Sequence, residues 1–116
     1  MERENDKFIL DENNVAIPVD LLTWASWLEK AGDRRRVADT SITSDIRVST
    51  IFMGLDHSWG RGKPLIFETM VFGGVLDNEM DRYSTWEEAE AGHASMVKRV
   101  NETLNGNEKE SAEELG

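Results

Sequence analysis

RVSTIFMGLDHSWGRGKPLIFETMVFGG, residues 47–74, is two β-rich runs joined by a glycine-bearing loop. Val, Ile, Thr and Phe dominate both runs, and these residues fit a pleated, half-buried surface. In the second run both alternating sets, Leu65/Phe67/Val71 and Ile66/Met70/Phe72, are apolar, which predicts a central strand with neighbours over both faces. Pairing Leu55 with Pro64 would fold the two runs into an antiparallel hairpin. A preceding run over 35–43, with a turn at Ser44-Asp45, adds a third strand. The expectation is a meander of strands 35–43, 45–55 and 64–72, ended by Gly73-Gly74 and followed by an acidic connector over 75–83.

On the N-terminal side, Phe8-Ile-Leu10 and Val15-Ala-Ile17 flank Asp11-Glu-Asn-Asn14, the pattern of a short hairpin. Pro18 then breaks the strand, and Asp20 is placed to cap a helix whose apolar residues Leu21, Trp24, Ala25, Leu28 and Ala31 recur at helical spacing before Gly32. On the C-terminal side, Ser84-Thr-Trp-Glu87 fits a capping box. It opens a second helix with the apolar face Trp86, Ala89, His93, Met96, Val97, Val100 and Leu104, and Asn105-Gly106 is its expected stop. The predicted fold class is α+β: an antiparallel sheet, made of a short N-terminal hairpin plus a three-stranded meander, packed against two amphipathic helices. Residues 1–104 are expected to form one domain, and 105–116 a disordered acidic tail.

The chain has 116 residues and no cysteine, so disulfides, thiolate metal sites and cysteine nucleophiles are excluded. Net charge is −10, which repels phosphate backbones and argues against direct DNA binding. Arg34-Arg35-Arg36, the only basic run, is better suited to complementing the end of the first helix. No apolar run approaches the roughly 20 residues of a membrane span, and the charged N-terminus lacks a signal-peptide pattern, so the expected location is cytoplasmic.

The loop over 56–63 gathers Asp56, His57, Trp59, Arg61 and Lys63 with two glycines. Loops on rigid sheets are where contact groups sit. Trp59 either folds back on the sheet or stands exposed, and exposure favours a partner. Of the other tryptophans, Trp24 and Trp86 are expected against the sheet, whereas Trp27 is a candidate interface residue. Two further polar residues interrupt apolar surfaces. His93 lies on the inner face of the second helix, where a core histidine bonded to a backbone carbonyl is the simplest expectation. Glu68 lies within the central strand, where a carboxylate needs a counter-ion, and Arg47 on the neighbouring strand shares its face. His57, Glu68 and His93 would suffice chemically for a metal, but no local ligand spacing supports the set, and no nucleophile-elbow motif is present.

Three stretches, ILDENNVAIPVDLLTWASWLE (9–29), RVSTIFMGLDHSWGRGKPLIFETMVFGG (47–74) and RYSTWEEAEAGH (82–93), resemble a small protein family of double-stranded DNA phages and prophages. The resemblance implies a setting, an accessory protein in the bacterial host cytoplasm, and carries no catalytic residues.

The sequence therefore reads as a phage-encoded, non-catalytic accessory protein that binds a host protein or a small host ligand, without cofactor. Arg47, Asp56, His57, Trp59, Glu68 and His93 are its candidate ligand-binding residues. The alternative is a small metal- or nucleotide-binding enzyme using His57, Glu68 and His93. A sheet covered by two helices also leaves an edge or face open, so a homo-oligomer is plausible.

Overall fold

The structure, a computed structural model, describes the backbone of residues 6–115 and side chains as far as residue 105. The order is β1 (Phe8–Leu10), β2 (Ala16–Pro18), α1 (Leu21–Ala31), a 3-10 turn (Gly32–Arg35), β3 (Arg36–Thr43), β4 (Ile46–Phe52), β5 (Phe67–Phe72), β6 (Met80–Tyr83) and α2 (Trp86–Leu115). β1 and β2 form a two-stranded antiparallel sheet, and β3-β4-β5-β6 form a four-stranded one. The expected α+β class holds, but the hairpin forms a sheet of its own rather than joining the meander, and the meander has a fourth strand.

That strand lies in the stretch read as an acidic connector. Gly73 and Gly74, with φ of 90° and 76°, turn the chain rather than ending the sheet. The Asp77 carboxylate accepts from Gly73 N–H at 2.7 Å, and β6 then pairs with β5, placing Arg82 opposite Glu68. Its signal was weak because β6 is a short edge strand of which only the Tyr83 end faces the core. The β4/β5 register matches the Leu55–Pro64 expectation: Phe52 pairs with Phe67 and Arg47 with Phe72. Both strands stop earlier than expected because Gly54, at φ 75°, bends the chain to meet β1, where Phe8 N–H donates to Gly54 O at 2.8 Å.

The hairpin turn is as read: the Asp11 carboxylate accepts from Asn13 and Val15 N–H, and Asn14 takes φ 63°. Asp20 caps α1 through Thr23 N–H at 2.8 Å, and contact with Thr23 lowers its pKa. Arg34 bonds Asn14 and the Asp11 carbonyl, and Arg35 Nε reaches Phe52 O at 3.1 Å, so the basic run ties hairpin, α1 and sheet together. The capping box of α2 is shifted by one residue, to Thr85 and Glu88, each bonding the other's backbone N–H at 3.1 Å. The backbone of α2 continues through Asn105-Gly106 to Leu115. Neither residue is forbidden within a helix, Gly costing about 1 kcal/mol against Ala. The disordered tail expected over 105–116 falls, beyond residue 105, on side chains outside those described.

α2 lies across one face of the four-stranded sheet. Two apolar clusters fill that interface, one around Phe52, Ile66, Phe67 and Ala89, the other around Val48, Val71, Met96 and Val100. Between their rows the paired residues are Thr50 and Thr69, and the helix places His93 over them. The opposite face of the sheet carries Arg47, Ile51, Glu68, Met70, Phe72, Met80 and Arg82. It is not covered by α1 as the two apolar sets of β5 suggested, because α1 packs on β1 and, through Trp27, on Phe52. Phe72 and Met80 stay exposed there. Among the described residues, no helix is long and apolar enough to cross a membrane.

Candidate functional site

The polar layer under α2 is buried apart from Thr40, which is part-exposed. His93 is 6% exposed, and Thr50 and Thr69 are fully buried. Nε2 of the ring lies 2.8 Å from Thr40 Oγ1, Nδ1 lies 2.8 Å from Thr50 Oγ1, and Thr50 Oγ1 lies 2.5 Å from Thr69 Oγ1. A neutral imidazole satisfies both nitrogens, donating from one and accepting at the other. The buried histidine expected from the helix pattern is present, but its partners are threonine hydroxyls rather than a backbone carbonyl. Burial lowers the pKa of His93, opposed in part by the nearby Asp39 carboxylate.

The lowered pKa has a definite sign. An unfolded histidine binds its proton near pH 6.5, before the folded one does, so protons favour the unfolded chain. The stability that the neutral ring contributes is complete above that pH and is lost as pH falls through the lower folded value. Urea midpoints are expected to fall in this window for the native chain, with a smaller fall for His93→Gln.

Glu68 lies on the other side of the sheet. It neighbours Thr69 along β5, so alternation turns it away from α2, and its partner is Arg82 at 3.2 Å on β6. Arg47 shares that face as expected but is not the counter-ion. It pairs with Asp39 at 3.5 Å and lies 5.0 Å from the centroid of the Phe72 ring. Glu68 and His93 are thus separated by the sheet itself, and His57 lies on the loop, so the three do not converge. Among the described residues no cluster of His, Cys, Asp or Glu is placed to hold a metal.

Asp56, His57 and Trp59 share one loop, over 56–63. The Asp56 carboxylate accepts from Ser58 N–H at 2.8 Å and Leu65 N–H at 3.0 Å, which closes the loop, and His57 N–H donates to Leu65 O. At the tip, Arg61 N–H donates to Ser58 O at 3.2 Å while Trp59 and Gly60 have φ of 60° and 77°. Two positive φ angles closed by such a bond define a type I′ turn, which favours Asn, Asp or Gly at its centre. A tryptophan in that position is 86% exposed, with Arg61 and Lys63 exposed beside it.

No protein-family model, curated protein or solved structure matches this chain. The site is therefore defined by its own geometry.

Of the remaining tryptophans, Trp24 donates from Nε1 to Gly54 O at 2.9 Å. Trp27, expected at an interface, instead meets Phe52 edge-on at 5.6 Å, because its turn of α1 faces the core. A feature the sequence reading missed is the groove of about 530 Å³ between α1 and β1, lined by Ile9, Leu22, Thr23, Ser26, Trp27 and Lys30. Leu22, 80% exposed, was the available signal: it falls outside the apolar set of α1. A second groove, between β6 and α2, is bordered by Asp81, Glu88 and Arg99. Its charges are already engaged, since Arg99 pairs with Glu79 and Asp81 and Glu88 caps α2.

Proposed function

We propose that this chain is a non-catalytic binding protein that engages a partner through the loop over 56–63, with Trp59 as the anchor. The observation that carries this reading is the conformation of Trp59. A non-glycine residue in the left-handed region costs about 1–2 kcal/mol, and its exposed indole recovers none of that by packing within the chain. Backbone strain of this kind is concentrated at functional sites, and Trp and Arg are the residue types enriched where interfaces concentrate their energy. The separation of Glu68 from His93 weighs against the alternative of a metal- or nucleotide-dependent enzyme using His57, Glu68 and His93.

The motif resemblance supports a phage accessory protein whose partner is a protein or small ligand of the bacterial host, in the cytoplasm. A chain of net charge −10 suits a protein partner with a basic patch better than it suits a nucleic acid. The test is recovery of partners from host lysate on immobilised chain, native beside Trp59→Gly. A partner held by the native chain and lost by the variant is the expected result. Equal recovery by both would remove the loop from the function.

A further inference from the structure

We infer that Asp56 is the positioning residue of this loop: one oxygen of its carboxylate ties the two arms of the loop together and holds the turn that presents Trp59. Asp56 thereby acts through Trp59, where the sequence alone suggested direct contact with a ligand, and this assignment rests on the reading of Trp59 as the contact anchor.

Both arms meet at a single atom. Oδ1 of Asp56 accepts from Ser58 N–H at 2.8 Å and from Leu65 N–H at 3.0 Å. Ser58 is the residue whose carbonyl closes the Trp59 turn, accepting from Arg61 N–H at 3.2 Å. Leu65 lies on the returning arm, next to the buried Ile66. The same oxygen therefore fixes the turn to the base of the loop. That base is itself anchored: Asp56 N–H donates to Asp6 O at 2.8 Å, His57 N–H donates to Leu65 O at 3.0 Å, and Leu55 bridges Lys7. Asp56 and Leu65 are half-buried, whereas Trp59 and Arg61 are exposed, so the tie is sheltered where the contact surface is not.

The tip needs such a tie. Trp59, Gly60 and Gly62 all have positive φ, at 60°, 77° and 68°, and glycine has more conformational freedom to lose than any other residue. A loop ordered before contact does not have that ordering cost deducted from its affinity. Placement of the oxygen, rather than its charge, is what the geometry demands. Aspartate and asparagine are the side chains whose length suits a bond to the backbone two residues on, and asparagine keeps an acceptor oxygen with two lone pairs in that position. A glutamate keeps the charge but is one methylene longer, which moves the oxygen away from Ser58 N–H. An aspartate kept for its charge, to meet a cation on the partner, would rank these two substitutions the other way.

NMR relaxation of the backbone amides in the purified full chain is the test, with Asp56→Asn, Asp56→Glu and Asp56→Ala beside the native protein. Order parameters over residues 58–62 are expected at about 0.85 in the native chain and in Asp56→Asn, and below about 0.6 in Asp56→Glu and Asp56→Ala. Solvent exchange of the Ser58 and Leu65 amides should quicken about tenfold or more in the latter two, as a bond to a charged acceptor is lost. Unchanged order parameters in β4 and β5 show that each variant keeps the fold, and if Asp56→Ala does not fold, the Asn and Glu variants decide. A native tip already below about 0.6, loosening by Asp56→Asn, or native-like order in Asp56→Glu or Asp56→Ala overturns the assignment. No host component enters these measurements, so failure here leaves Trp59-dependent capture of a host partner to stand or fall on its own.

Discussion

Phe52→Ala is expected to lower the free energy of unfolding by about 3–5 kcal/mol, read as a large drop in the urea midpoint. Phe52 is fully buried, packs at 5.1 Å against Phe67 and receives the edge of Trp27 at 5.6 Å. It is the point where α1 and the hairpin join the four-stranded sheet, so removing the ring leaves a cavity at a junction rather than within one layer. Domains are stable by only about 5–15 kcal/mol, so the variant should be close to unfolding at moderate temperature. A loss below about 1 kcal/mol would mean that α1 is not anchored there.

Trp59→Gly is expected to have the opposite sign in stability and the largest effect on binding. Glycine adopts the left-handed region without steric cost, which relieves about 1–2 kcal/mol, while its greater freedom in the unfolded chain returns about 0.5–1 kcal/mol. The net is a neutral or slightly more stable fold. Truncating a tryptophan at the centre of an interface typically costs 2 kcal/mol or more of binding energy, about thirtyfold in affinity. Gain or neutrality in one property with loss in the other separates a residue kept for contact from one kept for packing.

Much of the fold was legible because its elements obey strong local rules. The β-rich runs on either side of the 56–63 loop marked β4 and β5, Asp20 and Gly32 bounded α1, and the spacing of Ala89, His93, Met96 and Val100 identified the face of α2 that meets the sheet. What escaped was tertiary in origin. β6 is defined by its pairing with β5 more than by its own four residues. The apolar outer set of β5 looked covered, but Met70 and Phe72 are served by cross-strand neighbours, Met80 and the Arg47 guanidinium, rather than by a packing layer.

The candidate residues divided for the same reason. Sequence shows that Glu68 and His93 are polar residues on apolar elements, but not which side of the sheet each faces relative to the other. Alternation along β5, together with the Thr50–Thr69 pair under His93, places them on opposite sides. The loop was recognisable from composition alone. Its decisive property, an exposed Trp59 at positive φ, depends on the turn closed between Ser58 and Arg61.

Urea denaturation of Trp59→Gly beside the native chain is the most direct measurement. An indole held away from the fold for contact predicts a midpoint equal to or above that of the native chain. A fall of about 2 kcal/mol or more, the signature of a lost core side chain, would show that Trp59 packs into the fold, and the contact role assigned to the loop would be wrong.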